Sequence, residues 1–223
     1  MKKIIITGGL GYIGTELCKI YSGYSWNDNI TVIDNRFISE RVNQIRNWNM
    51  NFVQGDILDK ELIKEHCSDA DVIHHLAGIT DVPRVKSQSN NEHDKKIKEV
   101  AEEGTQNILD VIKDDCKIVM PSSHVVYEGM ENVKNDIKED EDTSPVLSYG
   151  KSKDFNEKQL KASGKNYIIL RLGSVYGYST DTARIDIMAN FFSKVASQNG
   201  TLNLFAGGRQ IKSLVPLIDV ARC

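Results

Sequence analysis

Short runs of apolar, largely β-branched residues recur along the chain, spaced by stretches long enough for helices. The runs are KIIIT at 3–7, ITVID at 30–34, NFVQ at 51–54, DVIHHL at 71–76, KIVM at 117–120, YIILRL at 167–172 and LNLF at 202–205. Several are apolar at successive positions, the pattern of a strand buried on both faces in a parallel sheet. Between them, apolar residues recur at helical spacing over roughly 12–22, 59–66, 94–113, 149–163 and 184–198. Strand and helix in alternation predict right-handed βαβ units, hence an α/β fold with an open, doubly wound parallel sheet. Residues 80–96 read as a polar loop leading into a helix. The acidic stretch 128–145 reads as a solvated excursion. There is no internal repeat.

Composition narrows the picture. A chain of 223 residues suffices for one large domain, or one domain with a small appendage. The net charge of -3, with no basic run, predicts no nucleic-acid partner. No apolar run is long enough to span a membrane, and that of MKKIIITGG is too short for a leader. Cys18, Cys67, Cys116 and Cys223 are far apart and form no CxxC pair, which fits a reducing compartment and predicts no metal site. Cys67 and Cys116 read as buried apolar residues. Trp26 and Trp48 read as packing or surface residues, and one of His74 and His75 should face the core. The expectation is a soluble, cytoplasmic protein.

The first candidate chemistry follows the first strand, where TGGLGYIG places Gly8, Gly11 and Gly14. Glycines are needed there if the backbone is to turn tightly, approach a pyrophosphate and pack a helix on the sheet. The helix that opens at this point offers unpaired N–H groups and the positive end of its dipole. Twenty residues after Gly14, Asp34 ends the second strand. A carboxylate there accepts from the adenosine ribose hydroxyls and repels a 2′-phosphate, favouring NAD over NADP, although Arg36 nearby could meet such a phosphate. The reading is a dinucleotide-binding chain.

The second candidate is SYGKSK at 148–153, with Tyr149 four places ahead of Lys153. On a helix that spacing stacks the two side chains on one face. The hexapeptide alone does not separate a solvated pair from the acid–base pair of an active site. Placement does: the glycine loop, Asp34, Asp56, Ala77, Ser123 and Ser174 all fall at carboxyl ends of predicted strands, where open α/β sheets bind ligands.

With TGGLGYIG, VIDN, GDILD, HHLAG, SSHVVY, YGKSK and RLGSVYG in this order, the whole chain resembles the extended short-chain dehydrogenase/reductase family. It looks most like the NAD-dependent nucleotide-sugar epimerases and dehydratases, which have a Rossmann fold. The resemblance implies Tyr149 as catalytic acid–base, Lys153 lowering its pKa and holding the nicotinamide ribose, and Ser123 hydrogen-bonding the reacting hydroxyl. It implies Tyr12 and Ile13, with Gly8, Gly11 and Gly14, at the pyrophosphate; Asp34 and Asn35 at the adenosine ribose; and Asp56 and Ile57 at the adenine. Leu76, Ala77 and Gly78 would line the nicotinamide side, and Leu172 and Gly173 would flank the ring. On the substrate side it implies Thr80, Ser123, His124, Ser174 and Lys212, with a nucleotide-sugar as partner; a homodimer is left open. The division expected is an NAD-binding domain over 1–174 and a partial substrate lobe over 175–223.

Departures from the family pattern limit this. Ala101 stands where an asparagine often precedes the Gly104–Thr105 pair. AGGRQIK has Ala206 and Lys212 where the family reads G-x-G-x-Q-x-R, and lysine offers a point charge in place of a planar fork. The family usually continues into a larger substrate lobe, whereas this chain stops at IDVARC with a candidate helix cap at Asp219, so a longer polypeptide is expected. Family dehydratases place an aspartate and a glutamate directly after the catalytic Ser/Thr, and decarboxylases usually keep the glutamate. His124 and Val125 occupy those positions here. The reading is therefore a 4-epimerase working through a transient keto-sugar. The alternatives are a dehydratase, decarboxylase or reductase of the same family, or a non-catalytic NAD-binding protein, which should have lost one of Ser123, Tyr149 or Lys153.

Overall fold

The computed structural model describes residues 2–24, 29–80, 90–132, 134–179 and 184–223; Trp26 and most of the 80–96 loop lie outside them. Six strands, Lys3–Thr7 (β1), Asn29–Asp34 (β2), Asn51–Gln54 (β3), Val72–His75 (β4), Lys117–Ser123 (β5) and Asn166–Leu172 (β6), form one sheet. Every pairing is parallel and the order is β3-β2-β1-β4-β5-β6. The chain winds outward from β1 to β3, then returns to build the other half from β4. The crevice between β1 and β4 is the point where such sheets bind ligands.

The helices are Tyr12–Gly23 (α1), Ser39–Asn47 (α2), Lys60–Cys67 (α3), Asn91–Val111 (α4) and Ser148–Ala162 (α5). Successive strand residues feed opposite faces. Ile5, Ile33, Ile73 and Ile118 join one cluster with Ile63, Ile108 and Leu160 of α3, α4 and α5. Ile4, Ile6, Ile30 and Val32 join the other with Leu17, Val42 and Ile45 of α1 and α2. Covering both faces is what unbroken apolar strands require, each fully buried isoleucine being worth about 1.5–3 kcal/mol. Edge strand β6 is less covered: Tyr167 and Ile168 remain exposed.

Helix α2 is not anticipated by the pattern. Its apolar stripe is only Val42 and Ile45 in an otherwise polar segment, and burial of these two in the second cluster, beside β3, settles its state. LNLF at 202–205 is not a strand. Leu202 and Leu204 are exposed, residues 201–204 pair with nothing regular, and a 3₁₀ turn follows at Phe205–Gly208. Gly207 and Gly208 both have positive φ (66° and 71°), which turns the chain away from extension. The strands of this region are instead Ser174–Tyr176 (β7) and Leu214–Pro216 (β8), a parallel pair of three residues each. They accompany Met188–Ser197 (α6) and Leu217–Arg222 (α7), which packs on α1. Asp219 is not a cap: it lies in the first turn of α7, behind Pro216, where its charge meets the positive helix end.

Cys67 and Cys116 are buried as expected, and burial pushes Cys67 up to about 12 and Cys116 to about 11. Residues 134–140 of the acidic excursion are exposed throughout. Among the described residues no helix is long and apolar enough to cross a membrane.

Candidate active site

The loop from β1 into α1 is held by its backbone. Gly8 has φ +71°, donates its N–H to Ile33 O at 2.7 Å, and lies so close to the end of β4 that a Cβ would sit 2.6 Å from Ala77 N. Gly14, one turn into α1, leaves no room either: a Cβ there would be 2.5 Å from Gly8 O. Gly11 caps α1 without a side-chain acceptor, so the first-turn N–H groups, including those of Tyr12 and Ile13, carry no side-chain cap. An open, glycine-walled cradle at a helix N-terminus suits a pyrophosphate. The Tyr12 side chain is used elsewhere. Its hydroxyl donates to Gly177 O and accepts from Asn190 Nδ2 at 3.4 Å, tying α1 to the C-terminal segment.

Asp34 closes the neighbouring side. Its Oδ2 accepts from Leu10 N at 3.0 Å, and its Oδ1 accepts from Arg36 N at 3.1 Å and Arg36 Nε at 3.3 Å. One carboxylate thus props the glycine loop and restrains the arginine that could have met a 2′-phosphate. Asn35 Nδ2 donates to Asp56 Oδ2 at 3.0 Å, so the residues expected at the ribose and the adenine are joined at one edge. Ile57 is buried in the core, and its carbonyl accepts from Asn107 Nδ2 at 3.0 Å.

On the other half of the sheet, α5 lays Tyr149 and Lys153 along the end of β5. The Lys153 ammonium lies 5.7 Å from the centre of the Tyr149 ring and donates to Pro121 O at 2.9 Å. Burial pulls Lys153 down to about 8, with Glu157 acting against it. Burial also holds the Tyr149 hydroxyl above its ordinary value, opposed by Arg184. Without ligands, desolvation outweighs neighbouring charge on both groups. Ser123 ends β5 and is buried. His124 Nδ1 lies 3.1 Å from Leu172 O, which binds it to the end of β6.

The remaining expected residues sort by position. Leu76 N donates to Thr7 O at 3.0 Å and Ala77 N to Thr7 Oγ1 at 3.3 Å, while Gly78 is exposed with open space around it. A Cβ on Gly173 would lie 2.7 Å from Ser213 O, so glycine there admits the β8 strand. Ser174 N donates to the same carbonyl at 2.8 Å, and the exposed Lys212 precedes it. Thr80 O accepts from Arg184 Nη2 at 3.1 Å.

His75 is the core-facing member of the histidine pair, as expected, and the buried polar partners it meets, Thr7, Thr105 and beyond them Asn156, were not anticipated. His75 Nδ1 lies 2.9 Å from Thr7 Oγ1, and its Nε2 lies 3.0 Å from Thr105 Oγ1. Asn156 Nδ2 donates to Thr105 Oγ1 at 3.0 Å and to Ala101 O at 2.9 Å. The chain links β1, β4, α4 and α5 beneath the site. Burial, then Lys153, brings His75 down to about 3, so it is neutral. The available signal was Asn156, seven residues after Tyr149 and so on the same helix face.

Fold and edge together define a doubly wound, Rossmann-like protein whose expected site residues lie at the carboxyl ends of β1 to β6. The chain belongs to the NAD dependent epimerase/dehydratase family, whose model matches residues 4–223. It is 27% identical over 198 residues to a dTDP-D-glucose 4,6-dehydratase of Dictyostelium discoideum, covering 79% of this chain and 44% of that one. It is 29% identical over 178 residues to a UDP-glucose 4-epimerase of Neisseria meningitidis serogroup C, covering 72% of this chain and 48% of the other. The chain thus spans about half the length of these relatives. Among solved structures, a UDP-N-acetylglucosamine 4-epimerase from Methanobrevibacter ruminantium M1, in complex with UDP-N-acetylmuramic acid, superimposes with a TM-score of 0.82. At 23% identity, over 99% of this chain and 71% of that one, it shares the fold.

Proposed function

We propose that this chain carries the cofactor-binding and acid–base machinery of an NAD-dependent nucleotide-sugar 4-epimerase. The observation that supports it most is the pairing of a complete Ser123, Tyr149 and Lys153 set with no carboxylic acid at the two positions after Ser123. Those positions are Val125, which cannot move a proton, and His124, whose Nδ1 is engaged by Leu172 O. Gly8, Gly11 and Gly14 would admit the pyrophosphate of NAD, Asp34 would hold its adenosine ribose, and Lys153 its nicotinamide ribose.

When bound, NAD⁺ supplies the hydride acceptor and donor at C4 of the sugar. Tyr149 takes the proton from the C4 hydroxyl and later returns it. An ordinary tyrosine, with a pKa near 10, is a poor base at neutral pH. The Lys153 ammonium favours its phenolate once ligand excludes water from between them. Ser123 donates to the oxygen as it becomes a carbonyl. Residues 1–174 would form the cofactor domain and 175–223 part of the substrate lobe, with Ser174, Thr80 and Lys212 on its side; the setting proposed is cytoplasmic. Epimer formation from a UDP-sugar by the natural full-length polypeptide, lost in Tyr149→Phe, is the expected result. A 4-keto-6-deoxy product or released carbon dioxide would overturn it.

A further inference from the structure

Glu157 is buried (2% exposed) and lies one helical turn beyond Lys153, on the face that carries Tyr149 and Lys153. It accepts from Ser122 Oγ at 2.6 Å. From Arg171 it accepts Nε at 2.9 and 3.2 Å and Nη2 at 2.6 Å, a forked pair. Ser122 and Arg171 are register partners across β5 and β6. Each directly precedes a site residue, Ser123 in one strand and Leu172 in the other. Arg171 is itself held from beyond, by the Tyr127 hydroxyl and by Glu139 O at 2.9 Å.

We propose that Glu157 is a positioning residue for the Tyr149–Lys153 pair: one buried carboxylate binds the ends of β5 and β6 to α5 and sets an anion one helical turn from the Lys153 ammonium. The inference deepens the proposed function. Its test needs no substrate, so the two readings fail separately. Around Lys153 stand Tyr149 and Glu157 on its own helix, Pro121 O on β5 and the neutral His75 on β4. Around Glu157 stand Ser122, Arg171, Tyr127 and, at 3.6 Å, Lys161. Asp154 is taken by Lys158 and Thr143. Glu157 is thus the anion that acts against burial on Lys153. Removing its charge takes that anion away, and the change favours neutral lysine.

The test is a ¹³C NMR titration of the Lys153 ε-methylene in the ligand-free chain, assigned with Lys153→Arg. Glu157→Gln should lower the apparent pKa of Lys153 by up to about two units, the size of a charge pair about 6 Å apart, one helical turn, at an effective dielectric near 20. Glu157→Asp, which keeps the charge, should recover most of that shift. If Glu157→Gln does not fold, Glu157→Gln combined with Arg171→Met removes both members of the buried Glu157–Arg171 pair and should move Lys153 the same way. A Lys153 titration unmoved in the folded variant, or a Glu157→Asp titration like that of Glu157→Gln, would overturn the proposal.

Discussion

Gly14 is the third residue of α1, a position where alanine is intrinsically better than glycine by about 1 kcal/mol. Packing opposes that gain. An alanine Cβ would lie 2.5 Å from Gly8 O, 2.6 Å from Gly9 Cα and 2.9 Å from Gly9 C, against an unstrained separation of about 3.5–4.0 Å. All three atoms are backbone, so no rotamer change relieves the contact, and the loop must withdraw by about 1 Å. That movement strains Gly8 N on Ile33 O and Leu10 N on Asp34. Overpacking of this kind costs about 1–3 kcal/mol, and each hydrogen bond lost adds about 0.5–1.5 kcal/mol. The clash should win: Gly14→Ala is expected to be less stable by about 1–3 kcal/mol and to lose NAD⁺ binding. Gly23→Ala is the control, since a Cβ at the end of the same helix meets nothing within 4 Å; it should be neutral or stabilising by up to about 1 kcal/mol. Urea unfolding followed by circular dichroism, with NAD⁺ titration calorimetry, reads both. A Gly14→Ala chain as stable as the parent would refute the packing argument.

Burial brings His74 down to about 4 and His75 to about 3, below the ordinary value near 6.5, so the unfolded chain binds protons that the folded chain refuses. Stability should be intact above pH 6.5 and fall as pH drops from there towards those values, by up to about 1.4 kcal/mol per pH unit for each histidine. His75→Gln should flatten the slope in a urea-midpoint series, and an unchanged slope would count against a buried neutral His75. Asp34→Asn should weaken NAD⁺ and strengthen NADP⁺, changing their affinity ratio by about tenfold or more as charge-assisted bonds are lost and Arg36 is released. Calorimetry with both nucleotides decides it, and a constant ratio would mean Asp34 does not set the preference. Tyr12→Phe should speed amide exchange at Gly177, because it removes the hydroxyl that joins Gly177 O and Asn190; unchanged exchange would show the joint to be incidental.

The parallel sheet was legible because its strands are buried on both faces and so read as apolar runs, and because the glycine loop, Asp34 and the Tyr149–Lys153 spacing are local signals. LNLF failed because an apolar run says nothing about whether a sheet edge is there to receive it. Strands β7 and β8 escaped because three residues are too few to show a period. Glu157, Arg171, His75 and Thr105 were illegible as a site: each looks like an ordinary polar residue until β1–β4 and β5–β6 register and α4–α5 packing bring its partner from 14 to 68 residues away. Short spacings read from sequence; buried polar networks do not.

The central claim is that Tyr149 exchanges a proton while hydride leaves and returns to one carbon, with no acid to drive elimination. The most direct measurement uses the natural full-length polypeptide, NAD⁺ and UDP-sugars deuterated at C4, read by NMR and mass spectrometry. The account predicts C4 epimers that keep the deuterium at C4, and a Tyr149→Phe variant slower by about 10²–10⁴ that still binds NAD⁺. A 4-keto-6-deoxy sugar, a decarboxylated product, or an undiminished rate in Tyr149→Phe would contradict it.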